Sequence, residues 1–142
     1  MSDRPEPPPW GKAITTARKR AGLSAREAAR RAGISEGRWR QITGGYQVVS
    51  PDVYAQVRGP AATVAKMAAV VGVTPEELRT AGRADAGQEL ARQQQRSHGE
   101  EMLERVRALD TSQARELLAT IAMQLGVRLS ASDEDGERTY GT

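Results

Sequence analysis

The chain has 142 residues and no cysteine, which excludes disulfides and thiolate metal sites and fits a reducing compartment. This length allows one compact domain with appendages rather than two large cores. The net charge of +3 is unevenly distributed: residues 11–45 carry nine Lys and Arg against two Glu, whereas residues 99–142 carry five basic and nine acidic groups. The basic segment is a candidate surface for binding phosphates.

The first nine residues are rich in proline and lack the apolar stretch that a secretory signal requires. We expect residues 1–9 to form an extended, disordered arm. Charged residues interrupt the apolar stretches of the chain well before the roughly 18 residues that a membrane helix needs. The sequence therefore predicts a cytoplasmic protein with no membrane partner.

Residues 10–43 have the spacing of three short helices. The first carries its apolar side chains on one face, at Trp10, Ile14 and Ala17. Gly22 ends the first helix. The second begins with Ser24 and Glu27, which form a capping box, and ends at Gly33. The third begins after Ser35 and ends at Gly44-Gly45. The second and third helices are therefore predicted over 24–32 and 36–43, with a turn between them.

The second and third predicted helices mix basic side chains with apolar ones. Alanines keep the second helix thin enough for close packing, and the glycine after it permits a sharp turn. Ile34 fills that turn, while Trp39 and Ile42 bury the inner face of the third helix. The opposite face is left pointing outward, and it comprises Gly37, Arg40 and Gln41.

Residues 46–59 differ from the helical segments around them. They are rich in valine and tyrosine, which favour strands, and Ser50-Pro51-Asp52 has the chemistry of a turn. We predict a small β-hairpin or an ordered loop. A fourth helix then begins at Pro60, with its apolar stripe at Val64, Met67, Ala68 and Val71.

A short fifth helix is predicted from Thr74, where Pro75 and Glu77 complete the starting pattern and Leu78 packs inward. Residues 84–99 are polar and predict a linker or a solvated helix. Residues 100–127 then predict a helical hairpin, with apolar positions at Met102, Leu103, Val106 and Leu109, and at Leu117, Leu118, Ile121 and Leu125. Asp110 with Gln113 is a capping box between the two helices, and the acidic tail 128–142 is expected to be disordered.

The sequence resembles the helix-turn-helix regulators of the Cro and phage-repressor (XRE-like) type. The resemblance covers about residues 10–83 and rests on "ARKRAGLSAREAARRAGISEGRWRQITGG" followed by "PAATVAKMAAVVGVTPEELRTAG". It implies an all-α fold, in which a five-helix DNA-binding domain with a β-hairpin insertion precedes the C-terminal helical hairpin. It also implies a repressor of transcription that binds double-stranded DNA, most like an actinobacteriophage immunity repressor.

The sequence departs from the family pattern at three places. Many relatives have a glutamine at the start of the second helix that braces the third helix and touches phosphate, and here that residue is Ala25. Trp39 replaces the usual β-branched residue, so the packing beneath the third helix is bulkier. The 46–59 insertion is longer than in compact relatives. These departures affect the details of base contact rather than the fold.

The residues expected to read bases lie on the third helix, because the major groove admits one α-helix whose first residues reach the base edges. Arg40 suits guanine, Gln41 suits adenine and Glu36 suits the amino group of cytosine. Gly37 lets the helix lie close to the groove floor. The residues expected to hold phosphates are Arg26, Ser35, Arg38 and Tyr46.

Two segments allow two interpretations each. The 46–59 segment is either a wing that reaches the DNA backbone or a flap whose valines cover the core, and its composition favours the flap. The hairpin at 100–127 either forms a homodimer or docks on the DNA-binding domain of a monomer, and we favour the dimer. An antitoxin-like or adaptor regulator, in which these helices bind a protein partner, is the alternative function.

Enzymatic activity is not expected. The only histidine, His98, lies in the polar stretch "QQQRSHGEE", and no phosphate-binding loop, metal-ligand cluster or nucleophile motif is evident. No cofactor or metal is predicted. A small-molecule ligand is not expected either, since residues 100–142, after the linker, are too few for a ligand-binding domain.

Overall fold

The computed structural model describes residues 4–126, over which it contains seven helices and a two-stranded hairpin. The elements in chain order are α1 (Pro9–Arg20), α2 (Ala25–Ala32), α3 (Glu36–Gly44), β1 (Tyr46–Ser50), β2 (Val53–Gln56), α4 (Ala61–Val71), α5 (Pro75–Thr80), α6 (Ala84–Ala108) and α7 (Thr111–Gln124). They form two compact units, which divide within α6 between Arg96 and Ser97. The predicted mostly helical fold with a small β-hairpin is confirmed.

The predicted capping residues begin the helices. The hydroxyls of Ser24, Ser35 and Thr74 each accept a hydrogen bond from the backbone N–H three residues later, at 3.0, 3.0 and 3.1 Å. Several boundaries differ by one residue from the prediction. α1 begins at Pro9, which was expected to end the arm, and α2 begins at Ala25, with Ser24 as its N-cap. Pro60 is the N-cap of α4 rather than its first residue, and Gly44 is the last residue of α3, whose C-cap is Gly45.

The core of the first unit lies among α1, α2, α3, α4 and α5. Its largest fully buried side chains include Trp39, Ile14, Ile42, Met67 and Leu78. The four alanines of α2 are also buried, so this helix approaches its neighbours closely. The aromatic and branched side chains of α1, α3 and α4 thus pack against α2, which is narrow because its buried side chains are alanines.

The beginning of α6 completes this core, in the segment where the sequence left a linker or a solvated helix open. Residues 84–99 are helical, and Ala86 and Leu90, four residues apart, are both fully buried. Burying a leucine contributes roughly 1.5–3 kcal/mol, so this isolated apolar residue fixes the first turns of α6 on the core. The helix is therefore not a solvated one over its first two turns.

Arg83 joins three parts of the first unit, although only 1% of it is exposed. Its guanidinium donates to the backbone oxygens of Arg58 and Gly59 at 2.6 and 2.9 Å, and to both carboxylate oxygens of Asp85 at 3.0 and 3.2 Å. It also lies over the ring of Trp10, 4.8 Å from its centroid. Because Arg83 donates to it, the pKa of the Asp85 carboxyl is lowered.

The β-hairpin corrects one expectation from the sequence, namely that the 46–59 segment is a flap whose valines cover the core. β1 and β2 pair antiparallel around Pro51 and Asp52, but Val48, Val49 and Val53 are 65, 60 and 50% exposed. The tip of a two-stranded hairpin that extends away from the core remains exposed. The valine of this segment that packs in the core is Val57, which follows the end of β2. The flap interpretation is therefore wrong.

The second unit contains the end of α6 and α7. The predicted capping box is present, since the Asp110 carboxylate accepts from the Gln113 N–H at 2.8 Å and the Gln113 side chain accepts from the Asp110 N–H at 3.2 Å. The predicted apolar positions divide into two sets. Half-buried residues are Met102, Val106, Leu109, Leu117 and Ile121, and exposed residues are Leu103, Leu118 and Leu125.

The sequence predicts a disordered arm, a disordered acidic tail and no membrane-spanning helix. The acidic tail 128–142 and residues 1–3 of the arm lie outside the described residues. Residues 4–8 of the arm contain no helix or strand. Within residues 4–126, no helix combines the length and the apolar character needed to cross a membrane.

α1 and α3 approach each other closely at Gly11, and this contact yields a test of the packing. A Cβ at Gly11 would overlap the carbonyl oxygen of Thr43, a backbone atom that cannot move away as a flexible side chain can. We expect Gly11→Ala to lower the free energy of unfolding by about 1–3 kcal/mol or more, measured by urea denaturation. Gly37→Ala is the matched control, because its Cβ would meet nothing within 4 Å. The control should retain or raise stability by up to about 1 kcal/mol, and equal stability of both variants would contradict the close approach.

Candidate nucleic-acid interface

α3 is held by one face and exposed on the other. Trp39 and Ile42 are 1 and 0% exposed, and the buried hydroxyl of Thr43 donates to the Trp39 carbonyl at 3.0 Å. Gly37 and Arg40 are exposed, and Gln41 is half-buried. The first turns of α3 therefore present polar side chains on the outside of the unit.

The turn between α2 and α3 is short and built from the predicted residues. Gly33 ends α2 with φ of 75°, a left-handed conformation that would strain most other residues. Ile34 is half-buried and packs against the core. Ser35 then caps α3. The two helices and their turn form a compact helix–turn–helix with α3 on the outside.

The four residues expected to read bases lie together on α3. They are Glu36, Gly37, Arg40 and Gln41, and the first two begin the helix. Glu36 and Arg40, one turn apart, form an ion pair at 2.9 Å. Among the described residues, a Cβ built at Gly37 would meet no atom within 4 Å, so the helix is not covered at this position by residues 4–126.

The four residues expected to hold phosphates are distributed over three elements. Arg26 is exposed on α2, Arg38 is half-buried on α3, and neither side chain forms an ion pair within residues 4–126. The Ser35 oxygen accepts the helix cap, which leaves its O–H as a donor. The N-terminal end of α3 adds a positive dipole at this position.

Tyr46, the fourth phosphate candidate, is the first residue of β1 and is half-buried. Its ring meets that of Tyr54 edge-on, with centroids 5.3 Å apart. The guanidinium of Arg4 lies 5.9 Å from the Tyr46 centroid. Sequence reasoning missed Arg4, because nothing in the proline-rich arm indicates that it returns to the hairpin.

The basic residues of α2 are partly neutralised within the helix. The Glu27 carboxylate accepts from Arg30 at 2.6 and 3.0 Å and from Arg31 at 3.1 Å. The hydrogen bonds from Arg30, then those from Arg31, lower the pKa of Glu27 to about 2. Glu27 is therefore ionised at neutral pH, and it gives the two arginines a local ion partner, which Arg26 and Arg38 do not have within residues 4–126.

Over residues 4–126 no group of three or more His, Asp or Glu side chains is placed to hold a metal ion. The donors of the outward face of α2 and α3 are instead guanidinium, hydroxyl and amide groups. Such groups suit phosphate oxygens and base edges.

Residues 11–81, half of the chain, match a family model described as a helix-turn-helix domain. The match covers α1 to α5 apart from the first two residues of α1. No curated protein and no solved structure matches the chain.

Arg30 forms an ion pair with Glu27, whereas Arg38 forms none within residues 4–126. This difference predicts how much each arginine contributes to the salt dependence of binding to duplex DNA. Each phosphate contact lowers log K by about 0.9 per unit of log salt, since binding releases counterions. We expect Arg38→Ala to reduce this slope by about 0.9 in fluorescence-anisotropy titrations at several salt concentrations. Arg30→Ala removes the same charge from a side chain already paired with Glu27, so its slope should change much less. An unchanged slope for Arg38→Ala would contradict the assignment of Arg38 to a phosphate.

Proposed function

The chain belongs to the helix-turn-helix domain family of DNA-binding regulators, and from that membership we propose that it is a sequence-specific transcriptional repressor. The observation that carries the proposal is the division of α3 into a buried face at Trp39 and Ile42 and an exposed polar face at its start. Such a helix is held rigidly enough to present its outer side chains to a groove. In this proposal α3 enters the major groove of duplex DNA.

The base contacts follow from the donors and acceptors that α3 exposes. Arg40 offers paired N–H donors to guanine O6 and N7, and Gln41 offers a donor and an acceptor to adenine. Glu36 accepts from the amino group of cytosine. Gly37 lacks a side chain, so the helix backbone lies close to the groove floor.

The phosphate contacts fix the helix in the groove but carry no sequence information. In the proposal, Arg26 and Ser35 hold the strand at the start of the motif, and Arg38 and Tyr46 hold it along α3. The absence of ion partners for Arg26 and Arg38 within residues 4–126 supports this assignment. A phosphate would displace no ion partner of these two side chains among the described residues.

The regulatory role is proposed from the resemblance of the first half of the chain. A protein of this kind represses transcription by occluding a promoter, and the most similar type is a phage immunity repressor. The proposal places it in the cytoplasm and includes no catalytic step, cofactor or small-molecule ligand.

Selection from random duplex DNA with the purified full-length protein tests the proposal. We expect one short motif to be enriched, and Arg40→Ala should weaken binding to it by about 1–3 kcal/mol and relax the preference at one base pair. Arg31→Ala is the matched control, because it removes a paired charge from α2. Enrichment of no motif by the wild-type protein would contradict sequence-specific binding.

The second unit supports a further part of the proposal, that the protein is a homodimer through residues 100–127. Leu103, Leu118, Met123 and Leu125 are between 52 and 81% exposed in the single chain. The same unit contains an open groove of about 540 Å³, lined by Leu109 and Leu117 among others. Two short helices with this much exposed apolar surface gain stability by covering it.

Sedimentation equilibrium of the full chain tests the dimer. The wild-type protein should have twice the monomer mass at micromolar concentration, and Leu103→Asp with Leu118→Asp should reduce it to the monomer mass. Val49→Asp on the hairpin, which is also exposed, should leave the dimer intact. A monomeric wild-type protein would overturn the dimer. It would leave a hairpin that docks on the DNA-binding domain, or an antitoxin-like or adaptor regulator whose C-terminal helices bind another protein.

A further inference from the structure

The reading face of α3 carries an ion pair between two residues that were expected to read bases independently. Arg40 donates from Nε and Nη2 to a single oxygen of Glu36, Oε1, at 3.3 and 2.9 Å. The pair is not buried, since the Arg40 side chain is 67% and the Glu36 side chain 41% exposed. A duplex approaching α3 therefore meets the pair rather than two separate side chains.

The geometry of the pair leaves one particular edge of the guanidinium available. A guanidinium has a side edge formed by Nε and Nη2 and an end edge formed by Nη1 and Nη2, and each offers two parallel N–H groups. Glu36 occupies the side edge of Arg40. The end edge remains, and its two donors match the spacing of guanine O6 and N7.

The pairing also changes what Arg40 attracts. A neighbouring carboxylate offsets the charge of Arg40 and repels phosphate oxygens, so electrostatic attraction to the DNA backbone is reduced at this position. The hydrogen-bond donors of the end edge are retained. Arg26 and Arg38, by contrast, keep their charge without an ion partner within the described residues 4–126.

The second carboxylate oxygen of Glu36 adds its own selectivity. Within residues 4–126, Oε2 accepts no hydrogen bond from another side chain. As an acceptor that bears negative charge, it matches the exocyclic amino group of a base and not a base carbonyl. Opposite guanine, the amino group that the major groove offers is that of cytosine.

We propose that Glu36 is a positioning residue for Arg40 and that the two side chains act as one reader of a G·C pair. The end edge of Arg40 binds guanine, and Glu36 holds the guanidinium in that orientation while accepting from cytosine. This inference rests on the proposed binding of α3 in the major groove. It goes beyond that proposal because the guanine preference then depends on a carboxylate whose negative charge opposes attraction to the DNA backbone.

The test compares Glu36→Ala and Glu36→Gln with the wild-type chain on the selected motif, on its three base substitutions at the Arg40 position, and on a random duplex. We expect Glu36→Ala to lower the preference for guanine about tenfold while affinity for the random duplex stays equal or rises, because a negative charge is lost. Glu36→Gln keeps an oxygen acceptor and should restore part of the preference. These opposite signs distinguish positioning from a general loss of structure.

Glu76→Ala is the matched control. It removes an exposed carboxylate that also pairs with an arginine within one helix, Arg79 on α5, outside the reading face. We expect it to leave the guanine preference unchanged. A loss of preference in this variant equal to that in Glu36→Ala would overturn the proposal, since net charge alone would then explain it.

Modified bases locate the contact. At the selected guanine, 7-deazaguanine removes the N7 acceptor, whereas inosine removes only the minor-groove amino group. Wild-type affinity should fall several-fold with 7-deazaguanine and not with inosine, and Glu36→Ala should show little response to either.

The outcomes separate this inference from the function on which it rests. A wild-type chain that binds no duplex overturns both. A wild-type chain that selects a motif, together with a Glu36→Ala variant that keeps the full guanine preference and its response to 7-deazaguanine, overturns only the positioning role of Glu36.

Discussion

The burial of Trp39 and Ile42 is the constraint on which the exposed face of α3 depends. An indole and a branched side chain three residues apart fill the space between α3 and the other helices, and both are essentially inaccessible. Two glycines make this depth attainable: Gly11 brings α1 against the backbone of Thr43, and Gly59 lies against the side chain of Ile42. A shift of α3 by even part of a turn would expose the indole, so the orientation of the outer side chains follows from the packing beneath them.

Arg83 extends that constraint beyond the helices that contact α3. A buried guanidinium is costly unless its donors are satisfied, and this one makes four hydrogen bonds and lies over Trp10. Two of these bonds hold the segment at Arg58 and Gly59, which leads from the hairpin to α4. Gly59, which packs on Ile42, is therefore held in place by Arg83, a residue outside the helix-turn-helix. The start of α6 and the position of α3 are parts of one packed arrangement.

Local features of this fold could be predicted from the sequence, and contacts between distant segments could not. Caps such as Ser24 and Ser35 act on N–H groups three residues away, so their residue types alone indicate them. The closeness of Gly11 to Thr43 and the burial of Leu90 depend on how helices meet, and no short pattern encodes it. The prediction that the hairpin valines cover the core failed because a valine-rich composition favours a strand but does not indicate which face of it is buried. In the candidate site, the positions on α3 followed from helical spacing, whereas the pairing of Glu36 with Arg40 required side-chain geometry.

The basic segment of the sequence is less positive as a surface than its composition implies. Glu27 pairs with Arg30 and Arg31, and because its pKa is about 2 the pairing persists across the physiological range. Glu36 pairs with Arg40 on α3. Both acidic residues of segment 11–45 therefore pair with arginines of the helix-turn-helix, Glu27 with two on α2 and Glu36 with one on α3. In the proposed complex with DNA, long-range attraction then comes mainly from cations outside these pairs, while the paired arginines keep directional hydrogen-bond donors. Such an arrangement would favour discrimination between sequences over affinity for DNA in general.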